Sequence, residues 1–284
     1  MPMVIERIPV PPDAVRVWRG HALASQRADR KAFCRSMGSV FMPVTVQLMG
    51  PLGLTAYLPA IMPPAECPDV PDEIALVFYR SQAAYTDSSA ASASRAYSLL
   101  HRAIFDLSDP TSRTVSRSGF PCRWSGGLTD HSAYFLLDEA TDWFMGATTA
   151  AVATAADAAS LQRCVPGLVE RLGTGGLQSL DGAVLAVDGA CLCLWVHSSS
   201  GHIEQLQGLC EEAGLRCVWS GSAGAVQCAA GLFDADGGFC VADGDFLNVH
   251  FPRGERPCSQ LKPGEVPSPK TTSIKIYERV HQNI

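Results

Sequence analysis

The 284-residue chain is 47% hydrophobic and 18% charged, and its 22 basic and 28 acidic residues give a formal net charge of −6. This length allows one large domain or two of ordinary size, with enough apolar residues for a buried core. The negative charge and the lack of any Lys/Arg run argue against a nucleic-acid or anionic-membrane surface.

The amino terminus and the cysteines indicate a reducing compartment. No apolar signal core is present at the start of the chain, where Glu6 and Arg7 occur. The longest apolar run, around Ala183–Val196, is interrupted by Asp188 and is too short to cross a bilayer. We therefore expect a cytoplasmic protein without a membrane segment, in which most of the eleven cysteines are reduced and pack as small hydrophobic side chains.

The first half of the chain is predicted to contain elements in the order β-α-β-β-α-β. A polar connection is expected at Arg16–Arg30, where Trp18 and His21 are the conspicuous residues. Pro43 should kink or break the first helix, because proline has no N–H to donate. The predicted strands are Val4–Val10, Leu54–Met62, Ile74–Tyr79 and an edge strand near Phe120–Trp124; one helix begins near Ala28 and another carries an apolar stripe from Ala96 to Ile104.

The second half is predicted to repeat that order. Asp188-Gly189 lies between two apolar runs and is a strong signal for a two-residue hairpin turn. Pro166 again lies within a helical pattern, here Ala155–Leu172. The other predicted elements are a helix at Ile203–Ala213 and strands at Tyr134–Leu137, Phe144–Ala150, Ala183–Val187, Cys191–Val196, Arg216–Trp219 and Ala225–Ala229.

Two stretches 123 positions apart share glycine, proline and apolar residues. The matched residues are Pro43, Val46, Gly50, Gly53 and Leu54 in the first stretch and Pro166, Val169, Gly173, Gly176 and Leu177 in the second. Arg80 and His197 also correspond, at an offset of 117 that one loop could accommodate. Such matches can arise by chance in a glycine-rich chain, but the shared order of elements favours an internal duplication.

The residues after 231 fall outside this repeat. Short strands are predicted at Phe239–Val241 and Phe246–Phe251, a linker at Pro252–Pro269 and a further strand at Thr271–Val280. We therefore divide the chain into a first unit at 1–126, a second at 127–231 and a C-terminal extension at 232–284, which could wrap the body or reach a second copy.

Two β-α-β-β-α-β units in tandem resemble the ferredoxin-like modules of the dimeric α+β barrel superfamily. Its members include antibiotic-biosynthesis monooxygenase-type proteins, polyketide cyclases, muconolactone isomerases and haem-binding relatives. The resemblance covers about residues 1–230 and depends on element order. It implies an α+β fold in which the two units form one pseudo-dimeric barrel, followed by the C-terminal extension. Because this scaffold carries several chemistries and some non-catalytic proteins, the resemblance leaves the function open.

No common nucleotide-binding, zinc-protease or hydrolase motif occurs in the sequence. Cys191 and Cys193 have one residue between them, fewer than in common zinc sites, so buried core thiols are expected. Asp234–Gly238 is similar to a calcium loop, but it has glycine at position five and Phe239 at position six, which favours a hairpin turn. We expect no bound metal.

Three titratable residues are candidates for a catalytic role. His197 follows a predicted strand, where a proton-transfer group could lie, although the adjacent serines could equally cap a helix. His101 lies at the edge of an apolar helical stripe and faces either solvent or a cavity. Arg80 ends a predicted buried strand, where its charge would need a carboxylate or an anionic ligand. The matching positions of Arg80 and His197 suggest one composite site.

Aromatic residues on the predicted strands could line a ligand cavity or simply pack the core. The candidate substrate-binding residues are Tyr57, Tyr79, Tyr134 and Trp195. The first hypothesis is an enzyme that binds a small apolar or aromatic molecule and needs no cofactor for oxygenase, cyclase, isomerase or lyase chemistry. The alternatives are a non-catalytic binding or assembly protein and a haem protein on the same scaffold. A homodimer would agree with the low proportion of charged residues.

Overall fold

The computed structural model describes residues 14–108, 114, 118–137, 141, 143, 146–173, 180–201 and 204–222, together with the backbone of four short strands after residue 222. The described residues fall into two compact units, here named the amino-terminal unit (Arg16–Gly119 with the strands after residue 222) and the central unit (Phe120–Ser222 with Ala14 and Val15). Both combine helices with a sheet, so the predicted α+β class is correct. The predicted strand Val4–Val10 and linker Pro252–Pro269 lie outside the described residues.

The elements are numbered here in chain order. The strands are β1 (Val15–Gly20), β2 (Leu54–Ile61), β3 (Glu73–Tyr79), β4 (Cys122–Arg123), β5 (Ala133–Phe135), β6 (Ala147–Thr154), β7 (Gly182–Asp188), β8 (Cys191–Ser198), β9 (Arg216–Ser222), β10 (Val226–Gln227), β11 (Gly238–Cys240), β12 (Phe246–His250) and β13 (Lys275–Glu278). The helices are α1 (Ala24–Ala28), α2 (Arg30–Ser36), a π-helix (Met37–Phe41), α3 (Met42–Met49), α4 (Gln82–Ser89), α5 (Ser92–Ile104), α6 (Ala158–Gly173) and α7 (Leu206–Glu212).

The sheet of the amino-terminal unit is built around the antiparallel pair β2 and β3. Their register runs from Leu54 opposite Tyr79 to Ile61 opposite Glu73. Nearly every residue of both strands is buried, as the continuous apolar run at Ile74–Tyr79 predicted. The strand order is β1-β3-β2-β10.

The first strand lies where the sequence predicted a polar connection. β1 begins at Val15, and both Trp18 and His21 are buried. The Val17 N–H donates to the Gly119 carbonyl at 2.8 Å, and the Gly119 N–H donates back at 3.0 Å. The prediction for Arg16–Arg30 was wrong because arginines can occupy a strand when their long apolar stems pack and their heads find partners.

Pro43 does not break the helical segment in which it occurs. The π-helix precedes it, and the Met42 N–H donates to the Met37 carbonyl five residues back. Because a proline has no N–H, a local change from the α-helical to the π-helical hydrogen-bond pattern is a physically reasonable way to continue through this position. α3 then carries the chain towards β2.

The central unit has a six-stranded sheet of order β4-β5-β7-β8-β6-β9. Its elements follow the order β6-α6-β7-β8-α7-β9. In the sheet, β9 pairs with β6, β6 pairs with β8 and β8 pairs with β7, and all three pairs are antiparallel. This is the arrangement of a split β-α-β unit. The predicted hairpin is confirmed, because Gly189 takes the left-handed φ of 54° that its turn requires.

Two short strands have partners that the sequence did not predict. Cys122–Arg123 pairs in parallel with β5 in the central unit instead of forming an edge of the first sheet. Val226–Gln227 pairs with β2 in the amino-terminal unit instead of closing the second. Strand pairing depends on which edge is available in three dimensions, and local periodicity contains no information on that. The predicted strands at Phe239–Val241 and Phe246–Phe251 are confirmed in a three-stranded sheet with β13.

The inner strands of each main sheet are buried on both faces. In the central unit, Leu192, Leu194 and Val196 pack with the helices, whereas the alternate residues of β8 point to the opposite face. Those alternate residues are Cys191, Cys193, Trp195 and His197, and all are buried. In the amino-terminal unit, the helix-facing side holds the polar groups from which the candidate site is built.

Candidate functional site

A buried carboxyl group is the centre of the polar cluster in the amino-terminal unit. Glu73 is the first residue of β3 and is completely buried. Its Oε2 accepts a hydrogen bond from Trp18 Nε1 on β1 at 2.9 Å, and its Oε1 accepts one from the hydroxyl of Tyr57 on β2. Three neighbouring strands therefore supply the acid and its two donors. None of the ion pairs between described residues includes Glu73.

Burial changes the acid–base properties of this pair. It raises the pKa of Glu73 from 4.5 to about 7, although the hydrogen bonds from Tyr57 and Trp18 limit the rise. The pKa of Tyr57 is well above its ordinary value, first because of burial and then because of the neighbouring Glu73 charge. Tyr57 therefore stays protonated and donates, while Glu73 exchanges its proton near neutral pH.

The helices supply a second set of hydrogen-bonding groups. The hydroxyl of Thr45 on α3 donates to the Phe41 carbonyl at 2.7 Å, so it accepts a hydrogen bond from the hydroxyl of Tyr97 on α5. One turn later on α5, His101 Nδ1 lies 3.1 Å from the Tyr97 carbonyl oxygen. Nδ1 must carry the proton to donate there, which leaves Nε2 as an acceptor.

Aromatic rings surround the His101 imidazole. Its centroid lies 4.1 Å from that of Tyr97, 4.7 Å from Phe41 and 5.3 Å from Trp18, all edge to face. This environment removes water and lowers the pKa of His101 to about 4, while its hydrogen bond to the Tyr97 carbonyl acts in the opposite direction. The imidazole is therefore neutral at physiological pH. We name Trp18, Tyr57, Glu73, Tyr97 and His101 the Glu73 cluster.

A cation lies at the rim of the Glu73 cluster. Arg16 on β1 is half-buried, and its Cζ lies 4.9 Å from the Tyr85 ring centroid and 5.8 Å from that of Trp18. Burial raises the pKa of Tyr97 well above its ordinary value, and the Arg16 charge opposes that rise, whereas for His101 the same charge adds to the lowering that burial causes. A positive charge favours a phenolate and opposes an imidazolium, so both effects have the expected sign.

The structure brings together three of the residues that the sequence suggested. His101 and Tyr57 belong to the Glu73 cluster, and Tyr79 lies in the same core with its ring 5.1 Å from that of Tyr85. Arg80 is exposed immediately after β3. The expected need for a partner does not apply to Arg80, because an exposed guanidinium remains hydrated.

The remaining candidates lie in the central unit. His197 is buried, its Nδ1 is 2.9 Å from Thr148 Oγ1 on the adjacent strand, and its ring is 5.3 Å from that of Trp143. Tyr134 packs in the helix-facing core, whereas Trp195 points to the opposite face of the sheet. Tyr134 and Trp195 therefore cannot line one cavity together.

The sequence did not single out Glu73, Tyr97 or Arg16 as functional residues. Glu73 immediately precedes an apolar strand run, and a glutamate at such a position is normally a strand end in solvent. Its register opposite Ile61 places it inside instead. Trp18 was conspicuous in the sequence, but its pairing with Glu73 is visible only in the structure, because the two residues are 55 positions apart.

The described residues show no group of three or more side chains suited to hold a metal ion. None of the described helices has the length and apolar character that a bilayer crossing requires. No disulfide joins the eight cysteines whose side chains are described. An open groove near Arg171 and Glu212 holds mostly polar surface residues and is remote in sequence from the Glu73 cluster.

No protein-family model matches the chain, and no curated protein matches its sequence significantly. Three solved structures show distant similarity. A protein named as a monooxygenase from Fusobacterium nucleatum subsp. nucleatum has 9% identity and a TM-score of 0.29, with 78% of this chain and 98% of that chain covered. An anthrone oxidase-like protein has 7% identity and a TM-score of 0.30, with coverage of 74% and 92%. A protein named as a monooxygenase from Lactobacillus acidophilus has 8% identity and a TM-score of 0.29, with coverage of 78% and 99%.

Gly20 allows β1 to pass close to the rings of the site. A Cβ at this position would lie 2.5 Å from Phe105 Cε1 and 2.9 Å from Trp18 Nε1. Because Phe105 is fully buried, we expect Gly20→Ala to lower the free energy of unfolding by about 1–3 kcal/mol. Gly119→Ala is the matched control, since its Cβ would meet no atom within 4 Å. Equal urea midpoints for the two variants would contradict this account.

Proposed function

We propose that this protein is an enzyme that removes a proton from carbon beside the carbonyl of a small aromatic substrate, with Glu73 as the base. The observation that carries the proposal is the completely buried Glu73 carboxyl, which has a pKa of about 7 and two hydrogen-bond donors. A general base works best when its pKa is near the working pH. Strongly shifted acids of this kind are concentrated at functional sites.

Glu73 is a better base than either histidine that the sequence suggested. A pKa of about 4 makes His101 a weak base, although its neutral Nε2 can accept a hydrogen bond from the substrate. His197 lies in the central unit, where its Nδ1 contacts the Thr148 hydroxyl. We therefore assign proton transfer to Glu73 and orientation of the substrate to His101.

The walls of the site favour an aromatic substrate. Phe105 contacts both Trp18 and Phe41 edge to face, with centroid distances of 5.4 Å and 5.3 Å. Phe41 ends the π-helix, a type of helix that is frequent at functional sites. We propose that the substrate enters when Phe41 and the half-buried His101 move apart and then lies on Trp18, out of contact with water.

The proposed step is balanced without a cofactor. The substrate proton moves from carbon to a Glu73 oxygen, and the C–H electron pair becomes that of the enolate. If Glu73 returns a solvent-derived proton to the same carbon of the enolate, the result is hydrogen exchange. If the proton is returned to another carbon of the enolate, the result is isomerisation. Exchange of carbon-bound hydrogen for deuterium therefore measures the step directly.

Glu73→Gln is expected to slow this exchange about 100-fold or more, because an amide cannot accept the proton. The probe is 2-tetralone in D₂O, with the loss of its benzylic proton signal followed by NMR and the buffer rate subtracted. The wild-type rate should rise with pH and level off above about 7, as Glu73 ionises. Glu66→Gln, at an exposed position in the same unit, is the matched control and should leave the rate unchanged.

Circular dichroism would establish that both variants are folded. Wild-type exchange no faster than buffer, or an unchanged rate in Glu73→Gln, would reject the proposed function.

We also propose that the two units are copies of one β-α-β-β-α module. Both have the neighbour order first-third-second in their sheets, and Pro43 and Pro166 both lie in the helix before the second strand. An experimental structure in which these elements fail to superimpose would contradict the duplication.

A further inference from the structure

Arg16 is held beside the Glu73 cluster without a carboxylate partner among the described residues. The nearby Arg27 and Arg30 differ, because both contact Asp72, at 2.8 and 3.5 Å. The contacts of Arg16 with Tyr85 and Trp18 are cation–π contacts. Such contacts hold the guanidinium in place but leave its N–H donors available for an anion.

The charges around the Glu73 cluster also favour an anion. His101 is neutral and Glu73 becomes negative only as it ionises near pH 7, so Arg16 supplies the positive charge of this group both below and above that pH. Its Cζ lies 5.8 Å from the ring centroid of Trp18, a member of the Glu73 cluster, and its charge opposes the burial-driven rise in the pKa of Tyr97. Because Arg16 is half-buried, its field is less screened than that of an exposed arginine.

We infer that the substrate of the proposed reaction is an aromatic carboxylate whose carboxyl group pairs with Arg16 while its ring lies on Trp18 towards Glu73. This inference rests on the proposed function for the identity of the reacting group. A planar guanidinium can make two parallel hydrogen bonds to a carboxylate, which neither an amide nor a single hydroxyl can accept in the same way. Arg16 would thus determine specificity without taking part in proton transfer.

The test compares 2-naphthoate with its uncharged analogue 2-naphthamide, both measured by calorimetry with the full chain. Arg16→Gln is expected to weaken naphthoate binding about tenfold or more, since a charge-assisted pair is lost, and to leave naphthamide binding unchanged. Arg16→Lys should fall between, because lysine keeps the charge but loses the planar donor pair. Arg80→Gln is the matched control, an exposed arginine at the end of β3, and should bind both probes like the wild type.

Naphthoate has no proton beside a ketone, so its binding reports on Arg16 separately from the reaction. Arg16-dependent naphthoate binding, together with wild-type exchange of 2-tetralone no faster than buffer, would reject the proton transfer and retain the anion site. Three results would each overturn the inference. The wild type could fail to bind naphthoate, Arg16→Gln could bind it as tightly as the wild type, or the variant could lose affinity equally for naphthoate and naphthamide.

Discussion

We expect Glu73→Gln to change the free energy of unfolding differently at two pH values. The change should be more favourable at pH 8 than at pH 4.5, by about 3 kcal/mol. The side chain is completely buried, and its pKa rises from 4.5 to about 7 on folding. A pKa difference of this size corresponds to about 3 kcal/mol of unfolding free energy. Glutamine has nearly the same shape and cannot ionise, so this contribution is absent from the variant.

The direction follows from which state binds the proton. Below pH 4.5 both the folded and unfolded wild-type chains hold it, so Glu73 adds no pH dependence. Between 4.5 and about 7 the unfolded chain releases the proton while the folded protein retains it, so the wild type loses stability as the pH rises. Above about 7 both states are ionised and the loss is complete.

Urea unfolding at pH 5, 6.5 and 8 measures the effect, with Glu66→Gln as the exposed control. The midpoint difference between Glu73→Gln and wild type should grow across this series, while Glu66→Gln should follow the wild type. A difference that does not change with pH would mean that Glu73 has an ordinary pKa, and it would remove the basis for its proposed role as a base.

This destabilisation also supports a functional interpretation of Glu73. A buried acid without a cation partner lowers stability at neutral pH, and an apolar residue at this strand position would avoid the loss. Buried polar groups that lower stability are expected at functional sites, where they are retained because activity needs them. The two donors, Trp18 and Tyr57, hold the carboxyl group in one orientation, as a catalytic base requires.

Local sequence patterns were sufficient for much of the fold. The apolar runs predicted β2 and β3, and Asp188-Gly189 predicted the β7–β8 hairpin, because side-chain periodicity and turn conformation are properties of neighbouring residues. The partners of Cys122–Arg123 and Val226–Gln227 were missed, since these depend on residues distant in the chain. β1 was missed because it contains two arginines.

The site was less predictable than the fold. The sequence favoured histidines, whose ordinary pKa suits proton transfer, but burial shifts the pKa of His101 away from neutrality and that of Glu73 towards it. Both shifts depend on desolvation, and the identity of a residue does not reveal its burial. Tyr57 was suggested as an aromatic wall, whereas the structure shows its hydroxyl to be a donor to Glu73.

The second large effect concerns Trp195, which the sequence suggested as a substrate contact. Trp195 is completely buried on β8, and its Nε1 has no hydrogen-bond partner among the described residues. Trp195→Ala is expected to lower the free energy of unfolding by about 3–5 kcal/mol, because it removes a large buried ring and leaves a cavity. Trp195→Phe should lower it by only about 1–2 kcal/mol, since phenylalanine also removes an unsatisfied buried N–H.

Urea unfolding of the two variants at one pH measures this difference, and naphthoate affinity distinguishes packing from ligand binding. We expect Trp195→Phe to leave the affinity unchanged, because no hydrogen bond or ring contact between described residues joins Trp195 to the Glu73 cluster. If Trp195→Phe lowered the free energy of unfolding as much as Trp195→Ala does, the indole N–H would have to form a strong hydrogen bond in the folded protein. A lowered affinity in a stable Trp195→Phe protein would return Trp195 to the substrate-binding residues, as the sequence first suggested.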